Sequence, residues 1–152
     1  MKRIIFVLRA LIILPCLLLP LISCTSKPSK AQLVDGKLRA CPSSPNCVSS
    51  ESEDESSRIA PLVFQGAPEI AWDRLKEAIG DMGGEIQKEQ DTYLWSTFKS
   101  RVFRFVDDVE FRMVATNGII HVRSASRKGY SDFGVNRKRV EKLRASVMSS
   151  EK

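Results

Sequence analysis

Asn117-Gly118 constrains this chain more than any other pair of residues. It separates two runs of strand character, Val102 to Ala115 (VFRFVDDVEFRMVA) and Ile119 to Ala125 (IIHVRSA). Asn and Gly both tolerate the positive φ of a tight turn, so the pattern predicts a β-hairpin. With those two residues as the whole loop, Thr116 faces Ile119, Ala115 faces Ile120, Met113 faces Val122 and Phe111 faces Ser124. That set is a mostly apolar inner face. The opposite face then pairs Val114 with His121, Arg112 with Arg123 and Glu110 with Ala125. Two arginines directly opposite repel each other, so a compensating negative charge is required. Two readings follow. In one, Glu110 and Asp108 supply it diagonally and the face is a salt-bridge ladder. In the other, Arg112, Arg123 and Arg127 form an anion-binding patch, arginine being suited to forked contacts with carboxylate or phosphate.

The remaining elements fall around this hairpin. Ala60 to Gln65 reads as a short strand. Pro68 then starts a helix whose apolar residues Ala71, Trp72, Leu75, Ala78, Ile79 and Met82 recur at helical spacing, with Gly83-Gly84 ending it. Trp72 is expected in the core. Glu85 to Glu89 and Thr92 to Lys99 read as strands, and a last helix runs from Arg137 to about Met148 with Val140, Leu143 and Val147 inward. The order β-α-β-β-β-β-α predicts an α+β fold, a single domain with an antiparallel sheet and two helices.

The first 23 residues belong to something else. Lys2, Arg3 and Arg9 precede a 13-residue apolar run from Ala10 to Ile22, broken by Pro15 and Pro20. A membrane-spanning helix needs about 20 apolar residues, so this is read as a signal peptide and not as a span. Leu21-Ile22-Ser23-Cys24 resembles the bacterial lipobox, which implies a lipidated Cys24 and attachment to a membrane, with Thr25 favouring the outer one. The expected organisation is residues 1–23 signal peptide, 24–40 flexible tether, and 41–152 domain. Within the domain lie a Cys loop at 41–47, an acidic loop at 49–57 (SSESEDESS) and a folded core at about 59–148.

Cysteine usage agrees with an envelope location. With Cys16 in the leader and Cys24 lipidated, Cys41 and Cys47 remain. In an oxidising periplasm CPSSPNC reads as a small disulfide loop, worth roughly 2 kcal/mol on a loop-entropy basis. The rival is a metal site, but two cysteines and the distant His121 fall short of four ligands, so no metal or cofactor is expected. Charge points away from nucleic acid. The chain carries 24 Lys and Arg against 18 Asp and Glu, and three of those bases lie in the leader, leaving 21 against 18, or +3.

The segment RSASRKGYSDFGVNRKRV (123–140) breaks a local rule. Asn136 is a good helix N-cap, yet Arg137, Lys138 and Arg139 follow it, where the helix dipole disfavours positive charge. Together with the hairpin this yields a candidate anion-binding set of Arg112, Arg123, Arg127, Ser131, Asn136, Arg137 and Arg139, with free helix N–H groups contributing. In the bland alternative Asp107, Asp108 and Asp132 pair with these bases. No catalytic residue is assigned. A hydrolase set of Ser131-Asp132 with His121 rests on composition alone.

CPSSPNCVSS, FRFVDDVEF (103–111) and RSASRKGYSDFGVNRKRVEKLR resemble the bacterial, cyanobacterial and plastid proteins grouped as domain-of-unknown-function family 1499, over about residues 38–147. The resemblance implies frequent membrane or lipoprotein attachment and no established biochemical activity. It also carries a departure, since Ser57-Arg58 stands where many members have a His. The expectation is a lipid-anchored accessory protein of the cell envelope, a non-catalytic module that binds an anionic lipid, a cell-wall group or an acidic protein partner. An assembly or scaffold lipoprotein is the second reading and a hydrolase the third.

Overall fold

The computed structural model describes residues 31–100 and 104–148. The signal peptide, Cys24 and the first part of the tether lie outside the described residues. A small hairpin comes first, β1 (Leu33–Val34) against β2 (Lys37–Leu38), followed by β3 (Cys47–Ser49) and β4 (Leu62–Val63). Helix α1 (Pro68–Asp81) leads into β5 (Gly84–Gln90), β6 (Tyr93–Lys99), β7 (Val106–Val114), a single 3-10 turn (Ala115–Asn117), β8 (Ile119–Ser126) and α2 (Val135–Met148). The predicted α+β class, antiparallel sheet and two helices are all present.

The main sheet runs β3-β8-β7-β6-β5, every pair antiparallel, and β4 shares the outer edge of β8 with β3. Both helices pack on one face. Trp72, Leu75 and Ile79 of α1 and Val140, Leu143 and Val147 of α2 meet Leu94, Phe98, Val109, Phe111, Ile120 and Val122 in one core. The period of 3.6 in the helices and of 2 in the strands brings these residues to a common side. Pro68 starts α1 because its fixed φ suits a first helical turn and its missing N–H has no partner to lose. The chain then turns at Gly83, whose φ is +76°. Gly84 cannot carry a side chain, since a Cβ there would stand 2.6 Å from the Phe98 ring and 2.8 Å from Ile79.

Three expectations are corrected. The hairpin loop is longer than Asn117-Gly118: Ala115–Asn117 form the 3-10 turn and Gly118 closes it in the left-handed region, so Val114 faces Ile119. Every pair is thereby displaced by two residues. Arg112 faces His121, Glu110 faces Arg123, and Phe111 faces Val122. An even displacement keeps each side chain on its predicted face and changes only its partner. Next, the ordered fold starts before residue 59, because Cys47, Val48 and Ser49 pair with Ala125, Ser124 and Arg123. Residues 33–38, read as tether, form the β1–β2 hairpin, and Leu38 is buried. Finally, the last helix begins at Val135, and Asn136 is fully buried within it and not its N-cap.

Candidate functional site

The face of the sheet away from the helices carries the polar residues. Along β7 it presents Asp108, Glu110 and Arg112, and along β8 His121, Arg123, Ala125 and then Arg127. On β6 it presents Tyr93, Trp95 and Thr97. Segment 31–42, including β1 and β2, lies across part of this face and takes it out of solvent. Glu110 is wholly buried and Arg123 is 6% exposed.

Burial forces these charges to find partners, and they do so in a ladder. Arg123 donates from Nη1 to Glu110 Oε2 at 2.9 Å, and the Tyr93 hydroxyl donates to Glu110 Oε1 at 2.9 Å. One rung along, Asp108 accepts the Trp95 indole N–H at 2.8 Å and a fork from Arg127, at 3.0 Å from Nε and 2.8 Å from Nη2. At the other end Arg112 donates to Glu51, whose second oxygen accepts the Leu38 backbone N–H at 2.6 Å. Glu51, drawn from the acidic loop, thus pins the β1–β2 hairpin to the sheet. Burial raises the Glu110 carboxyl above its ordinary range, opposed by the Arg123 charge and the Tyr93 hydrogen bond. Burial also raises the Tyr93 phenol, reinforced by the Glu110 charge, so Tyr93 remains a donor. The ladder leaves two guanidinium atoms unfilled: Nε of Arg112 and Nε of Arg123 are buried without a hydrogen-bond partner.

Five of the seven candidate anion-binding residues fall into two networks on opposite sides of the sheet, and Ser131 and Arg137 belong to neither. Arg112, Arg123 and Arg127 stand on the outer face. Arg139 reaches the helix side, where it donates to Asp107 Oδ2 at 2.6 Å and to Asn136 Oδ1 at 2.6 Å, and stacks over the Phe98 ring at 4.8 Å. Asn136 joins the same network, accepting from Ser124 Oγ at 2.6 Å and donating to the Asn46 carbonyl at 3.0 Å. Arg137 donates to the carbonyls of Ser56 and Arg58, at 3.2 and 2.9 Å. The Ser131 hydroxyl accepts the Phe133 N–H within the loop. The helix start obeys the dipole rule after all. Asp132 places its carboxylate there, accepting the N–H of Gly134 at 2.9 Å and of Asn136 at 2.8 Å, while Arg137 and Arg139 carry their charge away from the axis.

Two clefts flank Arg127. One, of about 250 Å³, lies between segment 31–42 and the sheet and is lined by Arg39, Arg123, Arg127, Asp108, Cys41 and Ser126. The other, of about 610 Å³, is lined by Lys99, Arg104, Arg127 and Lys128 with Glu85 and Thr97. Cys41 and Cys47 form a disulfide that ties the cover segment to β3.

His121 meets Ser50, not Ser131. The Ser50 hydroxyl and His121 Nδ1 are hydrogen-bonded at 3.1 Å, and Glu51 Oε1 lies 3.9 Å from Nε2. The same hydroxyl accepts the Val122 N–H at 2.9 Å, so it also joins the end of β3 to β8. Burial depresses the imidazole pKa, with Glu51 pulling the other way and Arg112 and Lys37 assisting the depression. Sequence reasoning passed over Ser50, Glu51, Arg39, Tyr93 and Trp95. Tyr93 and Trp95 had a visible signal, two polar-tipped aromatics at strand spacing on the face that Asp108 and Glu110 also occupy. Glu51 and Arg39 had none, because their roles arise from segments far apart in the chain.

Among the described residues no helix is long and apolar enough to cross a membrane, and no cluster of His, Cys, Asp and Glu is arranged to hold a metal ion. The family described as protein of unknown function (DUF1499) matches residues 37–147. No curated protein and no solved structure matches the chain.

Proposed function

The chain belongs to the DUF1499 family of unknown function, and from that premise we propose that it is a lipid-anchored, non-catalytic module of the cell envelope that takes a small anionic group. The carboxylate or phosphate would sit in the cleft between segment 31–42 and the sheet. The observation that carries this reading is Arg123. It is almost wholly buried, lines that cleft, and holds hydrogen-bonding capacity at Nε that Glu110 does not fill. A buried donor without a partner costs about 1–3 kcal/mol, a cost an incoming acceptor relieves if the side chain shifts to meet it. Arg39 adds the positive charge. Arg123 and Arg127 are balanced by Glu110 and Asp108, so Arg39 leaves the cleft with an excess of one cation. Lipidation at Cys24 and an envelope location follow from the lipobox-like Leu21-Ile22-Ser23-Cys24.

The test is titration of the membrane-extracted protein with inorganic phosphate and with acetate, read by amide NMR shifts and thermal shift. Shifts should concentrate at Arg39, Ala125 and Arg127, and Arg39→Ala should abolish them while leaving the melting temperature within about 2 °C, since partly exposed surface changes stay within about 0.5 kcal/mol. Shifts scattered over the surface, or unchanged in Arg39→Ala, would sink the cleft as a site.

A further inference from the structure

The connections of this fold are sorted by end. The loops after β6 and β8, the Cys loop before β3, the start of α2 and the end of α1 all gather at one end of the sheet. That end has an unusual surface. Phe133 is 90% exposed and Tyr130 76%, with Val135 beside them. A bare phenylalanine is a poor choice for a water-facing loop, and here the backbone holds it out: Phe133 has a φ of +53°, fixed between the Asp132 cap and its N–H bond to Ser131. The same end carries Lys99, Arg104, Lys128, Lys138 and Lys142, which line its two clefts, one of them beside Val135. The carboxylates there are fewer. Asp132 is occupied as the helix cap and Asp107 by Arg139, leaving Glu85 and, at the end of α1, Asp81.

The chain also enters the domain at this end. Ala31 lines the cleft shared by Cys41, Ser126 and Arg127. From Cys24 to Ala31 the chain can extend no more than about 25 Å.

We propose that this end is a membrane-docking face, in which Phe133 and Tyr130 enter the interfacial layer of a bilayer and the surrounding lysines and Arg104 meet anionic headgroups. Aromatic and apolar side chains set among bases are the pattern by which a surface lies in a membrane interface. Tyr carries its polar tip at the depth where headgroups begin. The face is distinct from the Arg39–Arg123 cleft. It rests on the Cys24 anchor for the reach of the chain, and on its own residues for the chemistry.

The experiment uses the full chain, processed and reconstituted in vesicles of phosphatidylcholine with phosphatidylglycerol. Phe133→Trp is compared with Val63→Trp, a half-exposed position at the opposite end of the sheet. The parent signal of Trp72 and Trp95 is subtracted. Nitroxide-labelled lipids should quench the indole introduced at position 133 several-fold more than the one introduced at position 63. Lys128→Glu with Lys138→Glu, or phosphatidylcholine alone, should reduce that difference. Co-flotation with equal quenching at the two positions overturns the docking face and leaves the anchor standing. Loss of co-flotation overturns the anchor and the docking with it.

Discussion

Glu110 and Arg123 set the terms at the scale of the residue. A buried ion pair contributes little in net terms, because removing two charges from water costs as much as their attraction returns. Breaking it is another matter. Arg123→Ala leaves Glu110 buried beside the Tyr93 hydroxyl alone and should cost about 3–5 kcal/mol, measured as a lower urea midpoint. Replacing both, Glu110→Leu with Arg123→Leu, should recover most of that loss. If the double variant is as unstable as the single one, the pair is not an isolated couple within the ladder. His121 supplies a pH dependence. Its folded-state pKa lies below the usual 6.5, so the unfolded chain binds the proton more readily. Its stability contribution is therefore complete above 6.5 and is lost as pH falls from there toward the depressed value. Glu110, whose pKa is raised, acts in the opposite sense: its contribution is complete below the ordinary 4.5 and is lost as pH rises through the raised value. The part due to His121 is isolated by comparison. His121→Gln should flatten the fall in melting temperature between neutral and mildly acid pH, and an unchanged slope would place the acid sensitivity elsewhere.

Helix α2 and the cover segment are where whole elements depend on single bonds. Asp132 accepts two N–H groups at the start of α2, so Asp132→Ala should cost about 0.5–2 kcal/mol and release the loop that presents Phe133. Hydrogen exchange should then rise at Gly134 and Asn136 before it rises at Leu143. Equal exchange along the helix would mean that Asn136, wedged between Ser124 and the Asn46 carbonyl, holds the end without the cap. The cover segment is tied at Cys41–Cys47 and at Glu51. Reduction of the disulfide should lower stability by roughly 2 kcal/mol and raise exchange at Leu38, which donates its N–H to Glu51. Core strands β6 and β7 should keep their protection. The placement of acids on β7 and bases on β8 was legible in the residues, for Asp108, Glu110, Arg123 and Arg127 alternate on one face by the period of the strand. Their pairing was not. It depends on loop length, and the added turn of Ala115–Asn117 replaced an Arg–Arg contact by Glu110 against Arg123.

At the scale of the molecule, an anchor, a cleft and a docking face would place one small domain against a bilayer. Cys24→Ala tests the first of these: a chain without its lipid should leave the membrane fraction in a high-salt wash that screens the headgroup contacts of the docking face, and retention through that wash would mean that the lipobox reading is incomplete. The two helices, the antiparallel strands from β4 to β8 and the side of the sheet on which their side chains fall were determined by the sequence alone, whereas β1, β2 and β3 were not. The former are local matters of period, of Pro68 at a helix start and of Gly83-Gly84 at a helix end. The partner of each charge was decided only in the tertiary structure. Ser50 meets His121, Glu51 meets Arg112 and Leu38, and Asn46 meets Asn136 across long stretches of chain. No period in the sequence encodes such distances. The three bases that follow Asn136 show the same division. Their spacing announced positive charge at a helix start, and the fold sent Arg139 to Asp107, Arg137 to the carbonyls of Ser56 and Arg58, and left Lys138 in solvent. Charge pattern is written along the chain, but neutralisation requires contact, and contact is set by which segments pack together.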